Sequence, residues 1–311
     1  MEVLAGDLEA DLRAASPALA GLPPGTGRIT LSVPTASATQ ALVTPEWARA
    51  HLGDDAVRFV EVDVDTTSYE QSHLPGAVGW DWTTQLSDSI RRDLASREEL
   101  SKLLSTSGIG HDTHIVLYGD NNDWFAAWAY WQLKLFGWQR VSLLDGGRRY
   151  WLDNGFPITT DVPHYQPTGI ELPEPSFDLR AFRDDIRPRL GAPELALVDV
   201  RSPAEYKGEV IAPPGMTETA QRGGHIPGAA SIPWSQAIAD DGRFRTADEL
   251  RALYAGRGVT EDRDVIAYCR IGERSSHTWF VLHELLGYPR VRNYDGSWTE
   301  WGSMVGMPIE K

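Results

Sequence analysis

The chain repeats itself at a fixed spacing of 150 residues. Residues 115–151 laid over 265–301 agree at eight of 37 positions without a gap: Tyr118/Tyr268, Leu135/Leu285, Gly137/Gly287, Arg140/Arg290, Val141/Val291, Asp145/Asp295, Gly146/Gly296 and Trp151/Trp301. "SREELSKLLSTSGI" (96–109) lies over "TADELRALYAGRGV" (246–259) at the same offset, and "HLPGAVGWDW" (73–82) over "HIPGAASIPW" (225–234) at an offset of 152. "VEVDVD" (60–65) resembles "ALVDVR" (196–201), and "KGEVIAPPGMTETAQRG" is an insertion before the second HIPGA. A sequence that carries one pattern twice folds each copy into a similar unit. The expected organisation is an N-terminal extension over 1–41, a first domain over 42–160, a Pro-rich linker over 161–177 and a second domain over 178–311. The extension is expected to lie outside the main folds, with a helix over 2–15.

Each copy alternates strand and helix. A strand ending in Asp (57–63; 195–199) precedes the His-x-Pro-Gly-Ala turn and an amphipathic helix (96–106; 246–256). A buried-type strand (114–118; 264–268), a helix (123–136; 273–286) and a short strand (140–144; 290–294) follow, ending in an Asp-Gly turn. This alternation predicts an α/β fold whose parallel sheets are covered by helices on both faces. Reactive groups in such sheets lie beyond the carboxyl ends of the strands.

Composition narrows the class of function. Twenty-nine basic against 44 acidic side chains give a formal charge of −15, which speaks against nucleic acid as a partner. No run reaches the roughly 18 apolar residues of a membrane span, and the acidic N-terminus lacks the basic start of a signal peptide. One cysteine in 311 residues excludes an internal disulfide and fits a reducing, cytoplasmic setting.

That cysteine, Cys269, stands where the apolar run "VIAY" gives way to "CRIGERSS". A lone cysteine is ordinarily a small buried apolar residue. Here a glycine-containing loop leads into a helix, so several N–H groups and the positive helix end point at the sulfur. Arg270 and Arg274 add positive charge. These effects predict a reactive thiolate. Ser275 and Ser276 also fit a plain helix-capping role. Cys269 to Arg274 is C-x4-R, one residue shorter than the C-x5-R phosphate cradle of tyrosine-phosphatase-like enzymes, and suits a single sulfur atom better than a phosphate.

"YCRIGERSSHTWF", "DVRSPAEY", "GGHIPGAASIPW" and "NYDGSWTEWG" together resemble the catalytic domain of the two-domain rhodaneses, the thiosulfate and 3-mercaptopyruvate sulfurtransferase family. "VEVDVDTTSYEQSHLPGA" and "LLDGGRRYW" resemble its inactive N-terminal domain, and the likeness covers about 42–311. It is nearest to the actinobacterial-type thiosulfate sulfurtransferases with a CRIGERSS loop. The resemblance implies tandem rhodanese-like domains and a persulfide on Cys269, with the terminal sulfur held by the loop Arg270, Ile271, Gly272, Glu273, Arg274 and Ser275. It implies support from Asp199 and Asp295, which also fit a strand-end turn and an Asp-Gly turn. Arg201 and His225 are expected to be structural, and Trp80 and Trp82 to line the cleft or fill core.

Two positions depart from the family pattern. Ile271 replaces a lysine often found in thiosulfate-type members, and Glu205 replaces an arginine. Arg270, Arg274 and Arg222 are expected to supply the missing cations. The expected activity is transfer of a sulfane sulfur from thiosulfate to cyanide or a thiol. The alternatives are 3-mercaptopyruvate as donor, a phosphatase or arsenate reductase on the same fold, and a non-enzymatic sulfur carrier. No cofactor or metal is expected, since "HDTH" (111–114) lacks further ligands at zinc spacing. In the first copy Gly119 stands at the cysteine position, so that loop is expected to wall the cleft.

Overall fold

The computed structural model describes residues 40–212 and 219–311. Nearly all of the extension read at 1–41, with its helix over 2–15, lies outside these residues, as do 213–218 of the insertion. Among the described residues the strands are β1 (Leu42–Val43), β2 (Val57–Asp63), β3 (Val78–Asp81), β4 (Ser87–Asp88), β5 (Asp93–Leu94), β6 (His114–Tyr118) and β7 (Val141–Leu144) in the first copy. In the second they are β8 (Leu195–Asp199), β9 (Ala230–Ser231), β10 (Asp264–Tyr268) and β11 (Val291–Asn293).

The strands of the first copy pair in the order β1-β7-β6-β2-β3, and those of the second in the order β11-β10-β8-β9. All neighbours in these two sheets are parallel. The orders are the same once each strand is matched to its counterpart, and a single bridge from Arg180 to Asn293 takes the place of β1. Every residue of β2 and β8 is buried, as strands covered on both faces require. The first copy adds an antiparallel ribbon, β4 with β5, and the second an antiparallel bridge at the matching place, Ile238 with Phe244.

The repeat is visible in side-chain geometry. Tyr118 and Tyr268 each accept the amide of a HxPGA turn residue, Leu74 at 3.2 Å and Ile226 at 3.0 Å. His73 and His225 stack on Tyr69 and Tyr206 at centroid distances of 3.9 and 3.6 Å. His225 therefore orders a turn, as its sequence context suggests. Trp151 and Trp301 donate to the carbonyls of Pro157 and Pro308, both at 2.8 Å.

The helix expected over 273–286 is α-helical only over Glu273–Phe280 and continues as a π-helical turn, Val281–Leu285. It packs against the helix Trp124–Leu135 of the first copy. Tyr130 meets Phe280 edge-on at 4.9 Å, and its hydroxyl donates to Glu284 at 2.9 Å. One apolar cluster, including Val62, Leu117, Trp128, Val198 and Cys269, joins the two sheets. Residues 161–177 carry neither helix nor strand; Tyr165 and Thr168 tie them to the carbonyls of Gly76 and Ile109 at 2.8 and 2.6 Å. Among the described residues no helix is long and apolar enough to cross a membrane.

Candidate active site

β10 ends at Tyr268, in register with Asp199 at the end of β8, and Cys269 is the next residue. The turn from Cys269 into the helix beginning at Glu273 depends on Gly272. Its φ is +108°, and a Cβ there would lie 2.5 Å from Trp128 Cζ3 and 2.9 Å from Asp295 Cα. Only glycine fits both the backbone and the space. The Gly272 amide donates to Cys269 Sγ at 3.1 Å. The loop is braced from behind by the segment after β11. Ser297 Oγ accepts the Cys269 amide at 3.1 Å, the Trp298 amide donates to the Cys269 carbonyl at 3.1 Å, and Thr299 donates to the Arg270 carbonyl through its amide and hydroxyl at 3.0 and 2.9 Å. Asn293 Oδ1 accepts from Ser275 Oγ at 2.6 Å, and both Ser275 and Ser276 donate to the Gly272 carbonyl at 3.0 and 2.8 Å.

Cys269 is fully buried. The loop's bias toward thiolate, expected from the sequence, is opposed by burial. Burial pushes the thiol up, the Glu273 carboxylate adds to that, and Arg274 with the amides of Ser275 and Gly272 offsets only part of it. Desolvation disfavours the charged form more than the loop favours it. The thiol instead donates to Glu273 Oε2, 3.2 Å away.

Arg274 is not a free cation. Its guanidinium grips Glu205 through two bonds, Nη1 to Oε2 at 3.0 Å and Nη2 to Oε1 at 3.1 Å, with Glu273 Oε1 3.6 Å from Nε. Burial pushes the Glu205 carboxyl up, but Arg274 and Ser202 outweigh it and hold it below the usual range. Glu205, read in the sequence only as a lost cation, is thus the clamp that fixes Arg274. Arg270 is buried, with Nη2 3.9 Å from Glu273.

The supporting residues divide. Asp199 and Arg201 are fully buried and paired, Nη2 to Oδ2 at 2.6 Å, and brace the strand end. Asp295 packs on Gly272 and is held by Arg180 at 2.9 and 2.8 Å; burial nevertheless keeps its carboxyl raised. Arg222 does not join the site. It caps the C-terminal segment, bonding the carbonyls of Trp301, Gly302, Met304 and Met307 at 3.2, 3.0, 2.6 and 3.0 Å.

A cleft of about 340 Å³ opens beside the loop. The second copy lines it with Ile271 and Asp295, and the first with Trp82, Trp128 and the β4–β5 ribbon, which brings Ser87, Ser89 and Arg92. Trp80 is core instead, bonded to Ser107 at 2.9 Å. The reading from sequence missed Arg92, Arg180, Trp128, Asn293, Ser297 and Thr299. The last three had a usable signal: they replace Leu143, Gly147 and Arg149 of the first copy, so each marks a place where only the second copy offers that neutral hydrogen-bonding side chain. Arg92 sits in the ribbon where the second copy has Gly242, and nothing local marks it.

The matching loop of the first copy is filled by its own carboxylates. Asp123 Oδ1 accepts the Gly119 amide and Asp63 Oδ1 the Asp120 amide, both at 2.8 Å. Burial raises the Asp63 carboxyl to about 8 and moves that of Asp123 upward too. A loop closed on acidic groups cannot hold an anion.

Parallel sheets in tandem, one of which delivers a cysteine into a tight loop at a helix start, define an α/β protein with one sulfur centre and a degenerate copy beside it. The family model for the rhodanese-like domain matches residues 44–154 and 183–304, and the chain belongs to that family. A provisionally named thiosulfate sulfurtransferase of Haloferax volcanii is 53% identical over 279 residues, 88% of this chain and 97% of that protein. The sulfur carrier protein TtuD of Thermus thermophilus is 50% identical over 276 residues, with coverage of 88% and 97%. Among solved structures, the anaerobic ergothioneine biosynthesis enzyme of Chlorobium limicola with trimethyl histidine is similar, with a TM-score of 0.74 and 28% identity over 87% of this chain and 70% of that one.

Proposed function

We propose that Cys269 of this sulfurtransferase attacks the outer sulfur of thiosulfate. The sulfur–sulfur bond breaks, sulfite leaves with the electron pair, and Cys269 holds the transferred atom as a persulfide. A thiophilic acceptor, cyanide or a thiol, then attacks the terminal sulfur and frees the cysteine. The observation that carries this reading is the 3.1 Å approach of the Gly272 amide to Sγ at the end of β10, inside a C-x4-R loop that suits a single sulfur atom better than a phosphate. The donor's charged end lies in the cleft against Arg92, Ser87 and Ser89. The single thiol suits a reducing compartment, and the cytoplasm is the location proposed.

The test is stepwise. Protein mixed with thiosulfate gains one sulfur atom by mass and releases one equivalent of sulfite; cyanide then restores the original mass. Cys269→Ser abolishes both steps. Parallel double-reciprocal lines fit this scheme, and intersecting lines overturn it. Running 3-mercaptopyruvate beside thiosulfate decides the donor. The Thermus thermophilus relative, a sulfur carrier by name, favours a second reading in which the acceptor is a protein.

A further inference from the structure

We infer that Glu273 is the proton acceptor and proton store for Cys269 during sulfur transfer, an inference that rests on the persulfide reading above. The two oxygens of its carboxylate face different ways. Oε2 accepts from the thiol at 3.2 Å. Oε1 lies 3.6 Å from Arg274 Nε and 3.9 Å from Arg270 Nη2. Both partners are shut off from water: Cys269 is 0% exposed and Glu273 2%. A thiol proton leaving Sγ therefore has a carboxylate in contact with it and no direct path to solvent.

The charges around the pair favour an internal transfer. Arg274 and Arg270 face Glu273 on its own loop, Glu205 faces Arg274 from the helix Pro203–Tyr206, and Asp295 stands against Gly272 with its charge matched by Arg180. The thiol with a carboxylate and the thiolate with a carboxylic acid carry the same single negative charge. Moving the proton from Sγ to Oε2 creates the nucleophile without adding charge to a buried site. It also removes the anionic carboxylate next to the sulfur as an anionic donor approaches.

The balance closes over a full cycle. Cys269 gives its proton to Glu273, and the thiolate takes the outer sulfur of thiosulfate while sulfite departs with the bonding pair. Glu273 keeps the proton while the persulfide stands. When cyanide removes the terminal sulfur as thiocyanate, the cysteine leaves as thiolate and recovers the proton from Glu273. No oxidant, reductant or external proton is needed.

Two measurements test this. Difference infrared spectroscopy on the wild-type protein, loaded with thiosulfate and discharged with cyanide, is expected to show a carboxylic-acid band on loading that vanishes on discharge. Glu273→Gln is expected to take up sulfur at least a hundredfold more slowly at pH 7, the usual scale for a lost general base. That deficit closes as pH rises toward the thiol's own ionisation, whereas the wild-type rate stays level across neutral pH. A wild-type protein that gains sulfur by mass without a carboxylic-acid band overturns the inference alone. So does a Glu273→Gln protein that is unimpaired at pH 7, or equally impaired at every pH as a structural defect would be. A wild-type protein that gains no sulfur overturns the persulfide reading itself.

Discussion

Trp124 and Arg274 hold the same place in the two repeats and meet across the interface between them, the Arg274 guanidinium carbon 5.9 Å from the indole centroid. Six residues on, the equivalent pair Tyr130 and Phe280 also touch, at 4.9 Å. The two helices thus lie in register against each other, so equivalent residues become neighbours. This arrangement disfavours two active copies. An arginine at 124 would bring like charges together in a buried setting, where the repulsion is weakly screened. A tryptophan at that place gives Arg274 an aromatic face instead.

The closed first loop leads to an expectation for Gly119→Cys. A Cβ at Gly119 would sit 2.5 Å from the Val62 carbonyl oxygen and 3.0 Å from Asp63 Oδ1. Thermal unfolding should show a loss on the order of 1–3 kcal/mol, the scale of overpacking. Mass spectrometry after thiosulfate should show sulfur on Cys269 and none at position 119.

Arg92 lines the cleft from the ribbon and acts electrostatically on Asp295. Arg92→Ala should raise KM for thiosulfate roughly ten- to a hundredfold, as expected for a lost charge-assisted hydrogen bond of about 1.5–3 kcal/mol. The alkylation rate of Cys269 by iodoacetamide should change little, because Arg274 is the cation that favours its thiolate. An unchanged KM would place the donor elsewhere.

The Glu205–Arg274 pair should behave as a buried unit. Glu205→Ala strands a buried guanidinium and is expected to cost on the order of 3–5 kcal/mol by denaturant unfolding. Replacing both residues with methionine should recover most of that stability, since an apolar pair needs no charge compensation. Sulfur transfer should stay lost in the double variant. Recovery of activity with stability would show that Arg274 serves only packing.

His277 is buried between Phe244 and Trp234, stacked on the former at 4.8 Å, and both its ring nitrogens lack hydrogen-bond partners. Burial lowers its pKa to about 3 from an ordinary 6.5. The unfolded chain therefore binds a proton between those values that the folded protein refuses, and stability falls as pH drops through that window. At pH 4.5 the loss is on the order of 2–3 kcal/mol. His277→Phe should remove this part of the acid sensitivity. Melting temperatures of both proteins at pH 4.5 and 7.5 check it, and parallel shifts would refute it.

Sequence determined the repeat, the strand and helix order and the loop that carries Cys269, because each of these rests on local spacing. The 150-residue offset matched β6 to β10 and β7 to β11, and "CRIGERSS" carried the turn into a helix with its required glycine. Tertiary structure decided the electrostatics. Whether Arg274 serves an anion or Glu205, whether Cys269 rests as thiolate or thiol, and whether Arg222 or Arg92 reaches the cleft all depend on which distant segments meet and how much water they exclude. A charge in a sequence has a sign but no dielectric and no partner. Burial supplies the first and packing the second, and here both turned the apparent cationic cradle into a network of paired charges around one buried sulfur.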